Sequence, residues 1–158
     1  MTYVDRDFLI PDDGVLPPDP SREESVLFVE LRTPASTAVI PTIRMVAADL
    51  AARADFDLDS IDDLRMAVDD ACAMLVRIAA HSAALSCRFT VRSERIEVTA
   101  QVDVDDAADA LPTGSFSWRV LDCLADEVSA ISLPPAEPGQ RGRVCVTLVK
   151  DGATAQQS

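Results

Sequence analysis

Basic residues are scarce in this chain. Fourteen lysines and arginines face 27 aspartates and glutamates, for a formal net charge of −13. Neutralising a nucleic-acid backbone needs a basic face, so this balance argues against nucleic acid as a partner, and equally against anionic membrane surfaces. A basic protein partner suits such a field, because opposite charges steer association. Histidine is nearly absent. His81 stands alone, without a companion for a metal site, and suits a helix end, where a partial positive charge is favourable. Cys72, Cys87, Cys123 and Cys145 form no C-x-x-C pair. In a reducing compartment they are expected to stay free thiols, packed as small apolar groups on core elements. No apolar run approaches the ~18 residues of a membrane span. The opening "MTYVDRDFLIPDD" is acidic where a secretory leader is basic. The expected location is cytoplasmic.

What is present is enough for one domain. The chain has 158 residues, of which 48% are apolar, and that supports a proper core. Residues 1–24 stand apart. They hold Asp5, Asp7, Asp12, Asp13, Asp19, Glu23 and Glu24 against Arg6 and Arg22, and also Pro11, Pro17, Pro18 and Pro20. A segment of this kind buries little and is expected to be disordered; "DFLIP" within it can also be read as a docking element. The folded domain is expected over residues 25–150. The ending, residues 151–158, reads as a short flexible tail.

Between the tails the apolar periodicity is plain. "VLFVELR" alternates, with Leu27, Val29 and Leu31 on one side and Phe28, Glu30 and Arg32 on the other, as in a strand. A helix is expected from about Thr42 to Arg53, with Pro41 in its first turn and Ile43, Val46, Ala47 and Leu50 as its apolar stripe. A second helix, capped by Asp59 or Ser60, is expected to run to about Ala80 through Ile61, Leu64, Val68, Ala71 and Leu75. A hairpin follows. Leu85, Cys87, Phe89 and Val91 share one face of its first strand, Ile96, Val98, Ala100 and Val102 one face of its second, and Ser93 and Glu94 make the turn. An acidic loop then leads to a third helix from about Ser115 to Ala125, which Phe116 and Trp118 are expected to anchor to the sheet. Two last strands, "EVSAISL" and "RVCVTLVK", close the order β-α-α-β-β-α-β-β. The expected fold is an α/β (α+β) two-layer sandwich. Its sheet, antiparallel or mixed and of about five strands, carries three helices on one face.

Three strings carry a family resemblance. They are "LRMAVDDACAMLV" in the second helix, "GSFSWRVLDCLADEV" from Gly114 to Val128, and "GRVCVTLVK" in the last strand. With the element order, they resemble the RsbW-type anti-sigma factors of the histidine-kinase-like (GHKL) ATPase superfamily, over about Val26 to Lys150. The resemblance implies a GHKL ATPase-like fold and a protein that binds an alternative, stress-response sigma factor and keeps it from RNA polymerase. Many members also phosphorylate an anti-anti-sigma factor with Mg-ATP, and members commonly act as homodimers.

Residue by residue, the resemblance implies a nucleotide site with several groups replaced. The family pairs a catalytic carboxylate with an asparagine four residues later, whose oxygen helps hold magnesium; here these positions are Asp70 and Met74. A thioether is a poor ligand for a hard cation. The family's adenine-reading aspartate matches Asp103, but Asp105 and Ala107 stand where glycines follow it. The phosphate-binding glycine pair aligns with Ser115 and Ser117, and only the preceding Gly114 is kept. Asp70, Met74, Asp103, Gly114, Ser115 and Ser117 are therefore the candidate nucleotide residues, with Asp70 as the catalytic acid or base. No metal cluster is expected and no cofactor is required for binding; ATP and magnesium remain open. Arg44 matches a partner-facing arginine of the first helix and is expected to stay exposed. Read without the resemblance, Asp69 and Asp70 suit a solvated helix flank, and Met74 suits core filler.

Overall fold

The computed structural model describes residues 26–105, 111 and 114–152. The segment expected to be disordered, most of the tail and Ala107 lie outside them. Five strands and three helices follow one another as β1 (Leu27–Pro34), α1 (Ile40–Arg53), α2 (Leu58–Ile78), β2 (Ala84–Arg92), β3 (Arg95–Val104), α3 (Phe116–Leu124), β4 (Glu127–Leu133) and β5 (Gly142–Asp151). The strands form one sheet in the order β1-β2-β3-β5-β4, and each neighbouring pair is antiparallel. This is the α+β two-layer fold that the alternation predicts.

The register puts one apolar set on the helix side. Leu85, Cys87 and Phe89 of β2, Ile96, Val98, Ala100 and Val102 of β3, and Val144, Val146 and Leu148 of β5 are buried in a single core. Ile43, Ala47 and Leu50 of α1 and Leu64, Val68, Ala71 and Leu75 of α2 close that core from above. Successive strand residues point to opposite faces, so the intervening positions form a second, outer face of the sheet.

Local chemistry sets the helix ends. At the end of α1, the Phe56 amide donates to the Ala51 carbonyl and the Asp55 amide to the Ala52 carbonyl. Asp55 takes a left-handed φ of 61°, so this is a Schellman stop with aspartate where glycine is usual. Phe56 is buried by the turn. The tight turn moves the start of α2 forward. Its cap is Asp57, whose carboxylate accepts from the Ser60 amide at 3.3 Å, not the expected Asp59 or Ser60. The helix ends at Ile78. Two further expectations are corrected. Trp118 anchors α3, but Phe116 is 81% exposed, because the first turn of α3 points it away from the core. Cys123 is exposed, whereas Cys72, Cys87 and Cys145 are buried.

Candidate functional site

The candidate residues divide between the two faces of the sheet. Asp70 and Met74 lie one turn apart on α2 and share a side of it. Asp70 is half-buried. Burial pushes its carboxyl above the ordinary range, the neighbouring Asp69 carboxylate adds to this, and Arg77 opposes it. Met74 is 5% exposed and belongs to the same core as Trp118, Leu121 and Leu111. At the start of α3, Ser115 is the cap. Its hydroxyl oxygen accepts from the Trp118 amide at 3.3 Å. Gly114 is exposed, and a Cβ added there would meet nothing within 4 Å. Ser117 is half-buried in the first turn of the helix.

Asp103 is elsewhere. It falls on the outer-face positions of β3, where its carboxylate accepts from Arg143 Nε at 3.2 Å across the strand pair. Only its backbone reaches the helix side, where its carbonyl accepts from the Ala80 amide just beyond α2. Asp105 is exposed and pairs with Arg141. The structure therefore brings Asp70, Met74 and the start of α3 to the helical layer and does not bring the Asp103 side chain to them.

This donor set does not fit a magnesium nucleotide. Met74 offers a buried thioether where the cation needs oxygen. The Ser115 oxygen is engaged by its own helix, and the Asp103 carboxylate faces away. Among the described residues, no group of three or more His, Cys, Asp or Glu side chains is placed to hold a metal. Two cavities form elsewhere. One, of about 50 Å³, opens on the outer face between Arg32, Gln101, Asp103 and Arg143. The other, of about 550 Å³, lies where β1 ends and β2 begins, beside Pro34, Ala80 and Ser82.

The helical layer holds a feature that composition alone does not reveal. Arg44, expected to stay exposed, is held across the α1–α2 seam. Its Nη1 donates to Asp69 Oδ2 at 3.0 Å, and both side chains are about one-third exposed. Arg44 Nε and Asp69 Oδ1 are buried without a hydrogen-bond partner among the described residues. Met45 on α1 is 70% exposed and Met66 on α2 is 54% exposed. The surface around the pair thus offers large, adaptable apolar side chains beside an incompletely satisfied ion pair, a combination suited to protein contact. The signal was in the sequence: the apolar stripes of α1 and α2 must face each other, which brings the flanking Arg44 and Asp69 together.

No family model matches the chain. Curated relatives do. The chain is 35% identical over 111 residues to the anti-sigma-F factor RsbW of Mycobacterium tuberculosis, covering 70% of this chain and 66% of the relative. It is 27% identical over 128 residues to the serine-protein kinase RsbW of Bacillus velezensis, covering 68% of this chain and 80% of that one. A third relative, the serine-protein kinase RsbW of Bacillus subtilis, is 26% identical over 121 residues. The match spans just under two thirds of the length of the mycobacterial relatives.

Proposed function

We propose that the chain is an anti-sigma factor of the RsbW type, which binds an alternative, stress-response sigma factor and withholds it from RNA polymerase. The similarity to two proteins named anti-sigma-F factor carries the reading, supported by the two-layer fold. In this reading an anti-anti-sigma protein releases the sigma factor, the protein works as a homodimer, and it works in the cytoplasm. No helix among the described residues is long and apolar enough to cross a membrane.

Binding needs no nucleotide in this account. Asp70, Met74, Asp103, Gly114, Ser115 and Ser117 are what is left of a nucleotide pocket, and the contact surface is the α1–α2 seam. Arg44 is exchanged there between Asp69 and the partner. Met45 and Met66 supply apolar area beside it. Arg44→Ala weakens capture of the partner, while Asp69→Ala, which removes the internal competitor, does not. Equal affinity in wild type and Arg44→Ala would remove Arg44 from the account.

One observation favours a second reading, an active serine kinase acting on an anti-anti-sigma factor. Asp70 is a half-buried carboxyl with a raised pKa, which is the setting of a general base. A tagged pull-down from native cell extract, with and without Mg-ATP and read by mass spectrometry, separates the two. A sigma factor captured equally in both arms supports the binding module. Capture that depends on Mg-ATP, together with phosphate transfer that Asp70→Ala abolishes, supports the kinase. Absence of any sigma factor in both arms, with the stress regulon expressed, overturns the proposal.

A further inference from the structure

An open sheet has two edge strands, and each presents a row of backbone N–H and C=O groups that a further strand can pair. Here the edges are β1 and β4, and they are built differently. β1 carries Glu30 and Arg32 among its exposed positions and ends in Pro34. Charges and proline are what native edges use to stop a foreign strand from pairing. β4 has neither between Val128 and Leu133. Its seven residues pair with β5 one for one, so no bulge twists the edge away. Ile131 is 55% exposed and Leu133 41%. Both lie on the outer face of the sheet, because they alternate with Val128 and Ala130, which pack against the helix-side core. Among the described residues, no strand pairs with the free edge of β4.

The strand is complementary to itself. Set antiparallel to a second copy about Ala130, it places Ala130 against Ala130, Ser129 against Ile131, Val128 against Ser132 and Glu127 against Leu133. Each pair joins residues of the same face, so this register keeps the two outer faces continuous. The Ile131 side chains of the two copies then meet diagonally across the axis, with Leu133 beside them. Like charges stay apart. The two Glu127 residues stand at opposite ends of the paired strands, about 20 Å from each other. Arg95 Nη2 already donates to Glu127 Oε2 at 3.3 Å within the same copy. A net charge of −13 on each copy opposes the approach, but at physiological salt it is screened beyond ~8 Å. The paired strands exchange about six to eight backbone hydrogen bonds at close range.

We propose that β4 of one copy pairs antiparallel with β4 of a second, joining two five-stranded sheets into one of ten strands with Ala130 on the two-fold axis. This rests on the homodimer of the reading above and names its interface. The contact is isologous and uses up the β4 edge, so assembly stops at two copies.

Sedimentation equilibrium on the full-length protein, from ~1 to ~100 µM at ~0.15 M salt, tests it. The wild type should reach the mass of a dimer. Ile131→Lys and Leu133→Lys each place on the strand the charge that protects native edges. Each should raise the dissociation constant at least about tenfold, with an unchanged circular dichroism spectrum. Hydrogen exchange on the wild type gives a reading free of any variant. Amides of β4 should exchange at least about tenfold more slowly in the concentrated sample than in the dilute one, and those of β1 should not. A wild type that stays monomeric removes the homodimer and the pairing together. A wild-type dimer that both variants leave intact, or whose β4 exchange ignores concentration, overturns the pairing and leaves the homodimer standing. Growth beyond two copies overturns the pairing as well.

Discussion

Met74 sets the limits on what Asp70 can do. A buried thioether one turn from the acid fills core volume and leaves no oxygen for a metal. An asparagine at this position would not by itself create a metal site. Met74→Asn should cost about 1–3 kcal/mol, because the amide enters an apolar core without partners. It should leave affinity for a fluorescent ATP analogue unchanged, because Ser115 still caps its own helix; urea denaturation and a titration check the two parts. Asp70 carries a pH signature. Its folded pKa is raised, so the folded state holds the proton more tightly than the unfolded one. This term is favourable at pH below the ordinary carboxylate value and is lost as pH rises through the folded pKa. Asp70→Asn should therefore gain stability relative to wild type as pH rises from about 4 toward 7, measured as Tm across that range. A constant difference would sink the assignment.

The α1–α2 hairpin shows how a short turn places functional side chains. The Schellman stop at Asp55, the burial of Phe56 and the cap by Asp57 fix how the two helices start back along each other. That geometry brings Arg44 to Asp69. Aspartate is a costly residue at the left-handed position, so Asp55→Gly should stabilise the protein by about 0.5 kcal/mol, after allowing for the looser unfolded chain. A lowered urea midpoint would show that the Asp55 side chain contributes a contact. Much at this scale was legible beforehand. The hairpin, its Ser93–Glu94 turn and all five strands follow from period-two alternation, because a half-buried strand cannot hide its pattern. The cap of α2 was not legible. Asp57, Asp59 and Ser60 are all capping residues, and only the position of the Phe56 anchor decides between them. The exposure of Phe116 was equally hidden, since an aromatic residue beside Trp118 reads as core until the first turn of α3 is oriented.

At the scale of the whole molecule, charge governs encounter. If the proposed partner is a sigma factor with a basic surface, a chain with a net charge of −13 should associate with it at a rate that falls by about tenfold between low and high salt, with a much smaller change in dissociation. Stopped-flow association at several ionic strengths checks this, and a salt-independent rate would mean that the contact is made by the apolar seam alone. Lys150 shows the complementary use of charge. It is 7% exposed at the end of β5 and pairs with Asp63 of α2 at 3.3 Å, which ties the helical layer to the sheet.

By itself the sequence determined the layers, the element order and the likeness to RsbW-type proteins, because apolar periodicity and local strings are properties of neighbours along the chain. The resemblance sets Met74 and Ser115 against a metal ligand and a glycine of the family pattern. Which side of the sheet each residue serves was decided by the tertiary structure. Asp103 looks like a companion of Asp70 until strand register sends its carboxylate to Arg143 on the far face. Arg44 looks free until helix packing sets it against Asp69. Register and packing join residues far apart in the chain, and a side chain's partners are fixed only when those distant segments meet.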